Sequence, residues 1–302
     1  MPTSRRSAAL DALGWVLGSV EAVRNGPALF VLLGSFAAAG LLLAMAEAAL
    51  AREALVWGAV QAGASLTTAF YGSNAAGLLL MDEACGRAPR DVAQALRDAL
   101  ASAHRLLLVL LALLLSTLLL VAVLCAGLWA ARWPLVGPLL FGALVPLGVV
   151  VLGGWMLAAV TVVGPLAAPA IWSGRSVRGT LELLWHLVRR RLLFVALLTT
   201  GLSALTALVA AMVTFAVMAG GRAVAALAVL VTGIDLPPQQ LMAGLFGYGL
   251  RSLGAAGAPV TQSAWGAAAL VGGGMVFALA LVLPGLVYLR GACAVYLALD
   301  ER

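Results

Sequence analysis

Charged side chains divide the chain into blocks. Residues 25–46, 54–81, 106–131, 133–174, 192–221 and 264–289 contain none. Each run exceeds the about 20 helical residues needed to cross a ~30 Å hydrocarbon layer. The 133–174 run is nearly long enough for two crossings, but Gly148 to Trp155 at its middle offers no polar turn. Its prolines sit toward the ends, at Pro134, Pro138, Pro165 and Pro169, with Pro146 nearer the centre. One long span over roughly 139–168 is expected there, bent by proline on entry and exit.

Between the runs the pattern changes to a helical period with one apolar stripe. Gly86-Arg87-Ala88-Pro89-Arg90 aligns on Gly174-Arg175-Ser176-Val177-Arg178 without a gap, so that GRxxR occurs twice. Leu96 and Leu100 follow the first copy, and Leu181, Leu184 and Val188 the second, at spacings of three and four. Segments 92–103 and 180–190 therefore read as amphipathic helices that lie in the headgroup layer. Leu10, Leu13, Leu17 and Val20 form a third, degenerate stripe before Pro27.

The predicted fold is all-α: a polytopic membrane protein whose six transmembrane helices form three hairpins, each preceded by an interfacial amphipathic helix. Residues 1–302 make one membrane domain with pseudo-repeats at about 7–85, 86–173 and 174–302. Segment 222–263 is its only sizeable outer loop. There, Asp235-Leu236-Pro237-Pro238 interrupts an apolar stretch too short to span, and the remainder reads as an interfacial cover.

Composition agrees with lipid as the solvent. The chain is 64% hydrophobic and 10% charged, with a mean hydropathy of +1.09. Soluble domains carry roughly 45–50% apolar and about 25% charged residues. A soluble enzyme, a disordered tail and a disulfide-stapled secreted domain are excluded. A net charge of +6 does not point to nucleic acid, because the basic residues are spaced between apolar runs rather than gathered on one soluble face. All eighteen are Arg. Without Lys there is no P-loop of the GxxxxGK[ST] kind and no Schiff-base nucleophile.

With the amino terminus in the cytoplasm, fourteen arginines fall on the cytoplasmic side and four (Arg52, Arg132, Arg222, Arg251) on the other. The positive-inside rule then sets both termini in the cytoplasm of a bacterial inner membrane, in a multi-pass protein. Ser4-Arg5-Arg6 resembles a twin-arginine start and Ala44-Met45-Ala46 a cleavage site. Against a signal peptide stand Asp11 and Glu21 in the charged leader and an apolar run longer than the about 7–15 residues of such peptides. Cys85, Cys125 and Cys293 are odd in number and lack CxxC spacing, so free thiols are expected.

Candidate chemistry is sparse. No Asp, Glu, Arg or His lies deep in the six runs, which argues against a proton- or sodium-driven carrier. The second run is the most polar: Gln61, Ser65 and Thr68 share a helical face, with Tyr71 and Asn74 close by. That face serves either interhelical hydrogen bonding or a polar path through the bundle. Arg87, Arg90, Arg175, Arg178, Arg189, Arg190 and Arg191 are candidates for contact with lipid phosphates, against the plainer role of topology anchors. His104 and His186 form no HExxH or other ligand spacing, and no GxSxG occurs. No metal, cofactor or catalytic activity is expected.

The runs GRAPRDVAQAL and GRSVRGTLELLWHLVRR, each leading into an apolar hairpin, resemble a broad group of bacterial six-span membrane proteins. The group includes the membrane domain attached to some glycerophosphodiester phosphodiesterases. The resemblance implies a bacterial cytoplasmic membrane and no activity, since the phosphodiesterase domain has no counterpart here. The expectation is a non-catalytic integral inner-membrane protein, a scaffold or accessory subunit of a membrane complex. Its partners would be the bilayer, anionic headgroups, and a protein partner or further copies of itself. The alternative is a permease or lipid-handling protein for neutral or amphipathic cargo.

Overall fold

The computed structural model describes residues 14, 17–88, 90–133, 136–232 and 264–300. Outer-loop residues 233–263 and the stripe positions Leu10 and Leu13 lie outside them. Among the described residues every regular element is helical, with seven α-helices. They are α1 (Gly26–Ala51), α2 (Leu55–Ala84), α3 (Val92–Ala130), α4 (Gly137–Ala158), α5 (Gly164–Trp172), α6 (Val177–Thr232) and α7 (Ala264–Asp300). A 3₁₀ turn, Gly18–Arg24, precedes α1.

Among the described residues, five stretches are long and apolar enough to cross a membrane: Gly26–Leu50, Val92–Ala130, Gly137–Trp172, Val177–Val224 and Ala280–Asp300. The chain is thus a multi-pass membrane protein by helix length and hydropathy. The 54–81 run, expected as a sixth span, forms α2, which has the length (30 residues) but not the apolarity of the others. Gln61, Ser65, Thr67, Thr68, Ser73 and Asn74 account for the difference. Every residue from Asn74 to Asp82 is buried, whereas Leu55, Val56, Trp57 and Leu66 toward the other end are exposed.

The expected single span of 133–174 is found as one 36-residue rod, Gly137–Trp172. Between α4 and α5 it passes through a π-turn, Ala159–Val163. Pro165 accounts for the widening, because its ring has no N–H to donate and clashes with the carbonyl four residues back. The amphipathic segments do not all form separate helices. The first is continuous with its span in the 39-residue α3, about 58 Å long, since 103–108 contains neither Gly nor Pro. The second is set off within α6 by a break at Arg191 (φ −137°, ψ 18°).

Two compact units divide the chain. Unit 2 comprises Leu17–Ala99 and Ser203–Gly291; unit 1 comprises Met1–Val16, Leu100–Leu202 and Ala292–Arg302. In unit 2, α1 and α2 form a close antiparallel pair. A Cβ on Gly72 would overlap Cβ and Oγ of Ser35, so only glycine admits this approach. Gly285 of α7 packs on the same pair, where a Cβ would lie 3.3 Å from Leu32. In unit 1, α3 and α4 interlock through Gly127 beneath Leu144, Gly148 beneath Leu124, and the Trp155 Nε1–H donated to Thr117 Oγ1 at 2.9 Å.

Three helix ends share one geometry. After α2, the Gly86 N–H bonds the Glu83 carbonyl and the Arg87 N–H bonds that of Asp82. After α5, Gly174 and Arg175 repeat the pattern onto Ile171 and Ala170. These are Schellman closures, and both glycines take the left-handed φ they require, +64° and +101°. The GRxxR repeat is therefore a repeated helix stop. After α1 the same closure places Glu53 at φ +61°, where a side chain is strained. Glu53→Gly is expected to stabilise the protein by about 1 kcal/mol, read as a raised unfolding midpoint in mild detergent.

Candidate functional site

The polar face of α2 is largely consumed within the helix pair. Ser65, buried, donates to the Ala39 carbonyl of α1 at 2.6 Å. Thr68 donates to Ala64 O, and Asn74 to Phe70 O, both in their own helix. Tyr71 is half-buried and stacks edge-on against Phe70. Gln61 is buried with its Oε1 unpartnered. The five share one helix. Ser65→Val is expected to cost about 0.6 kcal/mol, as interhelical bonds in membranes do, read as a lowered midpoint of thermal unfolding in mild detergent.

The adjacent carboxylates at the end of α2 point apart, as neighbours on a helix do. Asp82, 2% exposed, faces Arg90, whose Nε lies 2.7 Å from Oδ2 while Nη2 donates to Oδ1 at 3.1 Å. Arg90 also reaches Asp98 at 3.0 Å. Glu83 accepts from the Asn25 amide, and Asn25 in turn caps α1 through Ala28 N. Its other oxygen lies 3.7 Å from Arg290 of α7, which donates to Leu80 O. One end of unit 2 is thus laced together by two opposed ion pairs.

Unit 1 has its own cluster. Arg175 donates through Nε to the hydroxyl of buried Tyr296 at 2.8 Å and pairs through Nη2 with Asp300. Ser173 Oγ lies 2.9 Å from the same hydroxyl. The bond to Tyr296 raises Arg175 above the ordinary guanidinium range, against the opposing effect of burial, so the cation is secure.

The arginines singled out by sequence therefore occupy four settings. Arg90 and Arg175 are engaged with internal carboxylates. Arg178 makes an exposed pair with Glu182 one turn on. Arg87, Arg189 and Arg190 are exposed, and the Arg189 guanidinium lies 5.4 Å from the ring centre of Trp185. Arg191 stands at the break in α6.

A groove of about 370 Å³ opens along one side of unit 1. Positions from Val109 to Ser116 on α3 form one wall, and Trp155 to Val163 on the α4–α5 rod the next. Leu181, Leu184, Trp185 and Val188 of α6 close the third side. The lining is almost wholly apolar. The chain matches no family model, no curated protein and no solved structure. The functional reading rests on these sites alone. Sequence reasoning named the stripe Leu181, Leu184 and Val188 but not the hollow above it. The proline-bent Gly164-Pro165 step and the small Ala158-Ala159 pair were the signal available. Among the described residues no group of three His, Cys, Asp or Glu is placed to hold a metal ion.

Proposed function

We propose that the chain is a non-catalytic scaffold or accessory subunit of a bacterial inner-membrane complex, a six-span bundle with both termini cytoplasmic. The six-span reading counts α2 as a crossing partly enclosed by its neighbours. The resemblance of the GRxxR segments to bacterial six-span proteins supports the same setting.

One observation carries the reading. The rod Gly137–Trp172 is only 6% buried along its most apolar stretch. Gly142, Gly153 and Gly154 on it meet nothing within 4 Å where a Cβ would be. Small residues left open on an apolar rod allow another transmembrane helix to approach closely, the usual geometry of association in lipid. The charged side chains, by contrast, tie helix ends to one another. A permease reading requires a hollow beside Gln61, Ser65, Thr68 and Asn74, where the hydrogen bonds instead run within and between α1 and α2.

In-membrane crosslinking followed by detergent purification tests the proposal. A stoichiometric partner or self-oligomer is expected, and Gly142→Leu/Gly153→Leu should reduce it while the monomer stays folded. A solitary monomer at every crosslinker concentration overturns it.

A further inference from the structure

The apolar groove of unit 1 and the basic turn beside it form a matched pair. Where α3, the α4–α5 rod and α6 converge, Ala112, Ala158 and Ala159 leave the space unfilled. Two of the groove's three polar side chains are satisfied within the protein: Ser116 bonds Leu113 O, and the Trp155 indole bonds Thr117. With an otherwise apolar lining, the slot suits a hydrocarbon chain better than a polar cargo. About 370 Å³ lies at the lower end of ligand-site volumes, and the lining covers about 10 Å along each helix.

Trp185 connects this apolar space to charge. Its ring lines the groove, and the guanidinium of Arg189 stacks against it at 5.4 Å. Arg189 and Arg190 are exposed, and among the described residues neither enters an ion pair. The nearest acid in sequence, Glu182, is held by Arg178. One cation outside any ion pair, Arg189, thus stands one indole away from an empty apolar slot. A zwitterionic headgroup brings an ammonium to the same arginine and is disfavoured.

We infer that the groove holds one acyl chain of an anionic phospholipid whose phosphate is bound by Arg189. The lipid is a bound component of the protein, and the site stands independently of any protein partner.

Native mass spectrometry of the full-length protein in detergent tests this, titrated with phosphatidylglycerol and phosphatidylethanolamine of identical chains. Preferential retention of phosphatidylglycerol is expected. Arg189→Gln should reduce that preference about fivefold, leaving phosphatidylethanolamine binding unchanged, whereas Arg190→Gln, one position round the helix, should change it less. Ala112→Phe, which fills the groove, should remove the tight site, while Leu111→Phe on the exposed face of α3 should not. Undiminished phosphatidylglycerol affinity in Arg189→Gln overturns the inference. So does wild-type binding by Ala112→Phe. Should Ala112→Phe not fold, phosphatidylglycerol carrying a mid-chain diazirine decides the matter on the wild-type protein. Label confined to 109–116, 155–163 and 181–188 and displaced by excess phosphatidylglycerol supports the site; label spread evenly over the helices refutes it.

Discussion

Replacing Arg90 with Leu is expected to destabilise the protein by about 3–5 kcal/mol. Asp82 is 2% exposed at the end of α2, and Arg90 is the cation that faces both its oxygens. Removing the guanidinium leaves a buried carboxylate uncompensated, which costs far more than the net worth of the pair. Asp98 is 42% exposed and loses little, because water replaces its partner. The double variant Asp82→Leu/Arg90→Leu should recover most of the loss, since no charge then remains buried. Thermal unfolding in mild detergent measures both, with Arg97→Leu as an exposed control. Equal midpoints for Arg90→Leu and Arg97→Leu would contradict a structural role for the Asp82–Arg90 pair.

Gly72→Ala should produce the next largest effect, about 1–3 kcal/mol, through overpacking of α1 against α2. The added Cβ meets the Cβ of Ser35 as well as its hydroxyl, and a Cβ has no rotamer with which to retreat. The helices must separate, and the Ser65 bond to Ala39 lies one side of the same contact. Ser35→Gly removes the obstructing atoms. The double variant Ser35→Gly/Gly72→Ala is expected to be more stable than Gly72→Ala alone, with a coupling energy of about 1 kcal/mol in the double-mutant cycle. Additive losses would place the strain elsewhere.

Helices and their ends were legible in the residues because they depend on near neighbours. The charge-free runs mark where helices lie, and the GRxxR repeat marks two identical Schellman stops, each fixed within six residues. The roles of the arginines were not legible. Arg87 and Arg90 look equivalent in the pattern, yet Arg90 has Asp82 and Asp98 eight residues to either side and closes on both. Arg175, rather than Arg178, is engaged in the second copy, because its partners Tyr296 and Asp300 arrive from more than 120 positions away. In 92–103 the leucines of the stripe, Leu96 and Leu100, stay exposed, while the buried face is made by Ala95, Ala99 and Ala103, a face that the pattern of leucines did not reveal. The groove needs three segments between 109 and 188, and no local period encodes their convergence.

The closing helix α7 carries a late responsibility during synthesis. The two glycine corners, at 86 and 174, bond to residues at most five positions back and can form as the chain emerges. Their latches come last: Arg290 secures Glu83, and Tyr296 with Asp300 secures Arg175. A nascent chain that has reached α6 therefore holds both corners, the first already tied by Asp82 and Arg90, while the second still lacks its partners. Until α7 is made, Arg175 has neither Tyr296 nor Asp300 to hold it.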